Sequence, residues 1–316
     1  MTDVLFIKTS SLGDVIHHMP AVTEAKARRP ADRLAWVVEE AFAPLVRLHP
    51  AVDAVIPVAL RRWRGSRLLQ PSVWSEIGEF RRTLRSRDYD LVLDTQGLLK
   101  SATIARSARG IRHGYDSQSI REPQASRLYD VRHRVGRDRH AVERNRMLTA
   151  LALGYSIEGA PDYGMDRARL AGERGEPYGV LLHATAQAGK LWPVERWRAV
   201  AAELAGDCSL VLPWGNAAEQ AQANEIARDI PKARVPGLRP LNEVAQLIAG
   251  ASFVIGVDTG LLHLAAALGV PLVAIFSGSE PTLTGPVGQG RIAVLGSKGA
   301  PPDVQGVTRA VRAVLA

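Results

Sequence analysis

Four short segments of the chain carry side chains whose types and spacing suit chemistry on a phosphorylated substrate. Lys8-Thr9-Ser10-Ser11-Leu12-Gly13-Asp14 sets hydroxyls, a flexible glycine and a carboxylate between an apolar run and an amphipathic one. An aspartate in that place is ordinarily a helix N-cap. Ser10 and Ser11 can cap as well, which leaves Asp14 open to a role as general base. In Val257-Asp258-Thr259-Gly260-Leu261-Leu262-His263, the backbone N–H groups of Thr259, Gly260 and Leu261 begin a helix rich in Leu and Ala. Such donors, reinforced by the helix dipole, would receive a phosphate or pyrophosphate, and Asp258 would point a carboxylate at whatever that phosphate carries. Ordinary strand-to-helix capping accounts for the same residues. The segment His183-Ala184-Thr185-Ala186-Gln187-Ala188-Gly189-Lys190-Leu191-Trp192-Pro193 leads into a helix with Pro193 at its first position, so Lys190 is placed to meet a phosphate as a point charge. A fourth segment, Pro213-Trp214-Gly215-Asn216-Ala217-Ala218-Glu219, offers a carboxylate at ribose-binding distance from such a site.

Other signals fail on context. Gly189-Lys190 resembles the end of a P-loop, but Ala184 stands where its first glycine belongs and Leu191 where Ser or Thr belongs. Gly285, Gly288 and Gly290 have the wrong spacing for a dinucleotide fingerprint and precede a strand. Asp88-Tyr89-Asp90 has the form of a metal–nucleotide carboxylate pair, but it lies where a strand begins, and open α/β sheets bind ligands where strands end. His17-His18 has no further Cys or His at ligand spacing, so no metal site is expected.

The elements that must position these loops alternate between short apolar runs and amphipathic segments, the pattern of parallel sheets flanked by helices. In the first half, strands are expected at 4–8, 34–38, 54–57, 91–94 and 112–114, and helices at 14–29, 43–48, 73–87, 101–108 and 141–153. From Gly154 to Pro177 the chain is polar and rich in Gly and Pro, as an interdomain connection would be. Alternation then restarts, with strands at 179–184, 209–213, 233–235, 253–257, 272–276 and 291–295, and helices at 194–205, 217–229, 241–250, 261–268 and 307–315. At 316 residues and 46% hydrophobic, the chain has the length for two packed domains, 1–160 and 161–316. Two doubly wound units would leave a cleft at the carboxyl ends of their strands. No internal sequence repeat is evident.

The net charge of +8 is confined to one of these halves. Residues 1–160 hold 26 Lys and Arg against 18 Asp and Glu, and residues 161–316 hold 14 of each. Arg61, Arg62, Arg64 and Arg67 surround Trp63; Arg81, Arg82, Arg85 and Arg87 form a second cluster and residues 127–146 a third. A basic face attracts nucleic acid, an anionic membrane or a phosphorylated substrate, although the second and third clusters could equally be solvated helix faces. Nucleic-acid binding is disfavoured by the neutral second half and by the lack of any recognition signature. The single cysteine, Cys208, excludes a disulfide framework and reads as part of a buried strand. No signal-peptide pattern or run of about 18 apolar residues is present, which implies a cytosolic protein able to touch a membrane from that side.

In order along the chain, Lys8-Thr9-Ser10-Ser11-Leu12-Gly13-Asp14, Trp36-Val37-Val38-Glu39-Glu40, Ile56-Pro57-Val58 with Arg61-Arg62-Trp63-Arg64, Asp94-Thr95-Gln96-Gly97-Leu98, His140-Ala141-Val142-Glu143-Arg144, Lys190-Leu191-Trp192-Pro193 and Val257-Asp258-Thr259-Gly260 resemble the lipopolysaccharide heptosyltransferase I family. The match runs in register from about residue 4 to about residue 285, and the order of the motifs is more specific than any one of them. The resemblance implies the GT-B fold, an α/β class with two Rossmann-like doubly wound domains facing across a cleft. The first half would bind the acceptor and the second the donor. It implies inverting transfer of L-glycero-D-manno-heptose from ADP-heptose to the inner 3-deoxy-manno-octulosonic acid (Kdo) of Kdo-lipid A, at the cytoplasmic leaflet of the inner membrane and with no cofactor.

Carried over by the resemblance, Asp14 is the base and Lys190 assists the departing ADP. Thr185, Lys190, Thr259, Gly260 and Leu261 contact pyrophosphate. Asp258 contacts the heptose hydroxyls, Glu219 the ribose, and His263 belongs to the same donor set. Ser10, Ser11, Gly13, Arg61, Arg62, Arg64, Lys100 and Arg121 hold the acceptor. Two positions depart from the family pattern. Ala186 stands where a second Thr is common, and Arg239 where a Met lies beside the adenine. A related transferase acting on a later core heptose or on a protein is the alternative, and the Arg61-Arg62-Trp63-Arg64 run favours the first-heptose enzyme. A catalytically inert nucleotide-sugar sensor is a third reading, against which Asp14 stands.

Overall fold

A computed structural model of the chain describes residues 1–173 and 175–316. Those residues form two compact units, Met1–Gly164 and Met165–Ala316. Unit 1 runs β1 (Asp3–Ile7), α1 (Leu12–Arg28), β2 (Arg33–Glu39), α2 (Ala43–Val46), β3 (Ala54–Val58), α3 (Pro71–Leu84), β4 (Leu91–Asp94), α4 (Leu99–Ser107), β5 (Ile111–Tyr115), β6 (Val131–His133) and α5 (Ala141–Leu153). Unit 2 runs α6 (Arg167–Ala171), β7 (Tyr178–Leu182), α7 (Val194–Leu204), β8 (Ser209–Val211), α8 (Ala217–Ala227), β9 (Ala233–Arg234), α9 (Leu241–Gly250), β10 (Phe253–Val257), α10 (Gly260–Ala267), β11 (Leu272–Ile275), β12 (Ile292–Leu295) and α11 (Val304–Leu315).

Each unit has one six-stranded parallel sheet among the described residues, in the orders β3-β2-β1-β4-β5-β6 and β12-β11-β10-β7-β8-β9. Counted within its own unit, each sheet has the doubly wound order 3-2-1-4-5-6. Its reversal of direction falls between β1 and β4 in unit 1 and between β7 and β10 in unit 2, the place where such sheets bind ligands. The central strands read as continuous apolar runs because helices cover both faces: Val4–Ile7 and Phe253–Val257 are buried throughout. In unit 2 the core gathers Trp192 and Trp197, edge to face at 5.2 Å, with Leu181, Ile255 and Ile275 from the sheet. In unit 1 Leu5, Val37, Ile56 and Val92 meet Leu84 and Tyr89.

Four local features differ from the sequence-based expectation. Strand β6 lies inside the third basic cluster; its period-two signal is lost because Val131 and Arg132 are exposed on a sheet edge, where among the described residues β6 pairs with β5 alone. Helix α6 occupies part of the expected connection, held by Arg167, whose guanidinium donates to the carbonyls of Ala249 (2.9 Å) and Ala251 (2.8 Å). Pro193 is the N-cap of α7 and not its first residue. Cys208 lies just before β8, half-buried and free, and its burial raises the thiol pKa. Among the described residues, no helix is long and apolar enough to cross a membrane.

Candidate functional site

In unit 2 three strand ends converge on Asp258, the first residue after β10. Its carboxylate is largely buried and pairs with Lys190 Nζ at 2.7 Å. Ser279 Oγ donates to the same carboxylate, and His263 Nε2 lies 3.9 Å from its other oxygen. Thr185 Oγ1 donates to the Asp258 carbonyl at 3.0 Å, tying the loop after β7 to the loop after β10. Helix α10 then begins at Gly260 with Thr259 as N-cap and no side-chain cap among the described residues. The amide groups of Thr259, Gly260 and Leu261 therefore stand beside a lysine at a bare helix N-terminus, an arrangement suited to a diphosphate.

Lys190 owes its position to neighbours that fix a short turn. Trp192 is buried two residues on, and its indole N–H donates to the Pro302 carbonyl at 3.1 Å. On the other side Gly278 lets the loop after β11 lie against that turn: a Cβ there would stand 2.2 Å from the Gly189 carbonyl oxygen. Gly278 and Ser279 were not singled out by sequence. The signal that could have found them is their place at the carboxyl end of the strand next to β10.

Glu219 is set apart from this cluster. It lies in the first turn of α8, where its carboxylate accepts the Gly215 N–H (2.7 Å) and the Asn216 side-chain amide (2.7 Å). Only its carbonyl connects toward β7, at 3.1 Å from His183 Nε2. Burial lowers the pKa of His183. Arg239 is exposed and pairs with Glu243 at 3.4 Å.

In unit 1 the loop after β1 is fixed from both sides. The Gln96 side-chain oxygen accepts the N–H groups of Thr9 (3.1 Å) and Ser10 (3.2 Å), and Lys100 Nζ donates to Ser10 Oγ (3.2 Å). Ser11 is the N-cap of α1. Asp14 closes a capping box, one carboxylate oxygen accepting from Ser11 N (2.7 Å) and Ser11 Oγ (3.0 Å). Both roles weighed for Asp14 are thus compatible, because the cap engages one of its two oxygens. Gly13 lies in the first turn between them.

Beneath the loop, Lys8 is buried and donates to the Thr95 carbonyl (2.9 Å) and to Asn145 Oδ1 (3.4 Å). Burial lowers its pKa, while the charges of Asp14 and Asp94 act to raise it. Asp94 accepts from Gln96 N (2.8 Å), Gly97 N (3.2 Å) and Tyr129 Oη (2.7 Å), and burial raises its pKa against those bonds. Tyr129 reaches Asp94 by lying across Gly114, where a Cβ would stand 2.3 Å from its ring.

The three arginines after β3 are not equivalent. Arg62 is held by Glu40 (3.1 Å) and by Glu76. Arg61 is exposed with its guanidinium 4.8 Å from the Phe42 ring centroid, and the exposed Arg64 guanidinium donates to the Arg61 carbonyl. Glu39, below them, accepts the Arg61 N–H at 3.0 Å, and burial raises its pKa. Glu122 accepts the Leu99 N–H at 2.7 Å, which brings the segment of exposed Arg121 against the start of α4, where Lys100 lies.

Comparison with known proteins gives this geometry a family. The model of glycosyltransferase family 9 (heptosyltransferase) matches residues 77–311. Lipopolysaccharide heptosyltransferase 1 of Pseudomonas aeruginosa is 46% identical over 293 residues, 92% of this chain and 82% of that one. The chain belongs to glycosyltransferase family 9. This heptosyltransferase superposes on the E. coli heptosyltransferase WaaC with ADP at a TM-score of 0.93, with 39% identity over 99% of both chains. The same E. coli enzyme with ADP-2-deoxy-2-fluoro heptose gives a TM-score of 0.88 at 39% identity over 98% of each chain. The two parallel sheets of this heptosyltransferase are those of a GT-B glycosyltransferase, so both the fold class and the family suggested by the ordered motifs hold.

Proposed function

We propose that this heptosyltransferase moves heptose from ADP-heptose to the inner Kdo of Kdo-lipid A, with unit 2 holding the donor and unit 1 the acceptor. The observation that carries the donor half is the meeting of Lys190 and Asp258 at the bare N-terminus of α10. A diphosphate would take the amide groups and Lys190, and Asp258 would face the sugar. The E. coli relative whose structure is with ADP and with a fluorinated ADP-heptose supports that choice of donor. The acceptor follows the name of the Pseudomonas relative and the basic character of unit 1.

The reaction is a single in-line displacement with inversion. An acceptor hydroxyl attacks the anomeric carbon, and its proton passes to Asp14. The bond from that carbon to the phosphate oxygen breaks, and ADP leaves with the electron pair, its charge met by Lys190 and the α10 amides. Ser10, Ser11, Gly13, Lys100, Arg61, Arg64 and Arg121 surround the acceptor sugar and its anionic groups; Arg62 acts with them through Glu40 and Glu76. Thr185 and His263 complete the donor set, and Glu219 meets the ribose from the α8 cap. The lipid acceptor places the enzyme at the cytoplasmic leaflet, attached peripherally.

The test is ADP release from ADP-heptose with and without Kdo-lipid A, for the wild type and Asp14→Ala together. Release that needs the acceptor, by the wild type alone, supports both the reaction and the base. No release by either protein while ADP still binds would keep the donor site and overturn the acceptor.

A further inference from the structure

We propose that the turn at Gly65–Leu69 and the outer face of α3 form a docking surface for an anionic lipid bilayer. The inference rests on the proposed lipid-borne acceptor for its choice of occupant, and on unit 1 alone for its geometry.

Three large apolar side chains are exposed within seven residues: Leu68 at 38%, Leu69 at 86% and Trp74 at 60%. None of the five residues of the turn is buried. Their exposure is built in, because the Trp74 indole N–H donates to the Leu68 carbonyl at 2.8 Å. That bond holds the turn against the first turn of α3 and satisfies the only polar atom of the indole, so the ring offers a surface that can be buried without an unpaired donor. Along the helix, Trp74, Gly78, Arg81, Arg82 and Arg85 recur at spacings of four, three, one and three, one face of an α-helix. The opposite face, with Val73 and Leu84, is buried.

Gly78, Arg81, Arg82 and Arg85 line an open notch of about 420 Å³. Arg85 is partly engaged, donating to the Ser107 carbonyl at 2.8 Å. Arg81 and Arg82 have no side-chain hydrogen bond or ion pair among the described residues. Residues 64–85 hold five arginines and two glutamates, a net +3. Glu76 is engaged by Arg62 and Trp63, which leaves Glu79 as the one acid exposed beside the face. An apolar wedge next to unpaired guanidinium groups is complementary to acyl chains below anionic headgroups, and neither half alone gives a stable attachment.

The experiment is co-flotation of the full chain with vesicles of phosphatidylglycerol and phosphatidylethanolamine that contain no glycolipid. The wild type should bind, less at high salt. Arg81→Ser/Arg82→Ser should weaken binding about 25-fold, at about fivefold per arginine, and Leu69→Ser/Trp74→Ser at least about tenfold. A control, Arg127→Ser/Arg137→Ser, removes the same charge elsewhere on unit 1 and should change binding by less than about threefold. All three should release ADP at the wild-type rate with a water-soluble, deacylated acceptor, and should keep the wild-type circular dichroism. The proposal is overturned if the wild type does not float, if the control loses as much as Arg81→Ser/Arg82→Ser, or if the surface variants lose turnover on the soluble acceptor. Flotation with the expected losses, together with no ADP release on any Kdo-bearing acceptor, would support the surface and reject the acceptor.

Discussion

Asp94 and Asp258 lie at the carboxyl ends of corresponding strands in two copies of one topology, Asp94 as the last residue of β4 and Asp258 just past β10, and their surroundings differ. Each stands at the carboxyl end of the fourth strand of its sheet, beside the strand where winding reverses. Asp94 has no exposed surface, and its three bonds to Gln96, Gly97 and Tyr129 close the loop upon itself. Asp258 is not closed in this way: its partners are the Lys190 ammonium, a serine and a histidine, next to a helix with no side-chain cap among the described residues. The helix that follows the first strand of unit 1 is, by contrast, closed by the Ser11–Asp14 capping box. A helix N-terminus closed by a carboxylate of its own first turn, as in α1, is suited to hold a base. One left bare is suited to hold an anion.

The largest expected effect separates the two uses of Asp14. Asp14→Asn keeps an oxygen for the Ser11 N–H and should lose at least about a hundredfold in turnover with ADP affinity unchanged. Near-normal turnover together with early melting of Asp14→Ala, by about 1 kcal/mol, would make Asp14 a cap only. Next, Asp94→Ala strands the Tyr129 hydroxyl and two amides, so urea titration should show a loss of about 3 kcal/mol. Asp258→Ala should lose less, about 1.5 kcal/mol, because the Lys190 ammonium can turn to water, while donor turnover falls at least tenfold. Equal stability losses in the two variants would break the comparison. Lys190→Ala should weaken ADP binding about tenfold by calorimetry, and an unchanged affinity would refute its phosphate role.

Two smaller effects sharpen the contrast. His49 in unit 1 is buried with its pKa lowered to about 4, because burial disfavours the cation. Its Nδ1 also accepts the Ala51 N–H at 3.2 Å, a bond that protonation there would forfeit. His18 shifts in the same direction. A depressed folded-state pKa gives stability that is complete above the unfolded value near 6.5 and is lost as pH falls toward 4. The unfolding free energy from urea titration should therefore drop by about 2 kcal/mol between pH 7.5 and 4.5, and His49→Gln should reduce that drop. The smallest effect is that of Arg61→Ala/Arg64→Ala, which should raise the acceptor KM a few-fold at low salt and less at high salt. A KM that is the same at both salt concentrations would remove these two arginines from the acceptor set.

The strands that the sequence marks most clearly are those buried on both faces, such as 91–94 and 253–257, where an unbroken apolar run between turn signals admits one reading. Edge strand β6 and the five-residue α6 escape the same reading because Val131 and the Arg167 side chain are fixed by partners distant in sequence. Within the site, Asp14, Lys190 and Asp258 stand out because each lies where a strand passes into a helix. Gln96, Gly278 and Ser279 do not, since their work is to position another loop.

By itself, the sequence determined that the chain is two α/β units, that the positive charge belongs to the first, and which strand-ending loops carry carboxylates, hydroxyls and a lysine. Those follow from period, composition and the local chemistry of helix starts, all of which act over a few residues. Only the tertiary structure decided that the two sheets share one strand order without a sequence repeat, that Arg62 is balanced by two glutamates while Arg61 and Arg64 are not, and that Asp94 is bonded within its own loop while Asp258 meets Lys190 at the start of α10. These depend on which loops meet across a sheet, and that is set by packing between residues tens of positions apart.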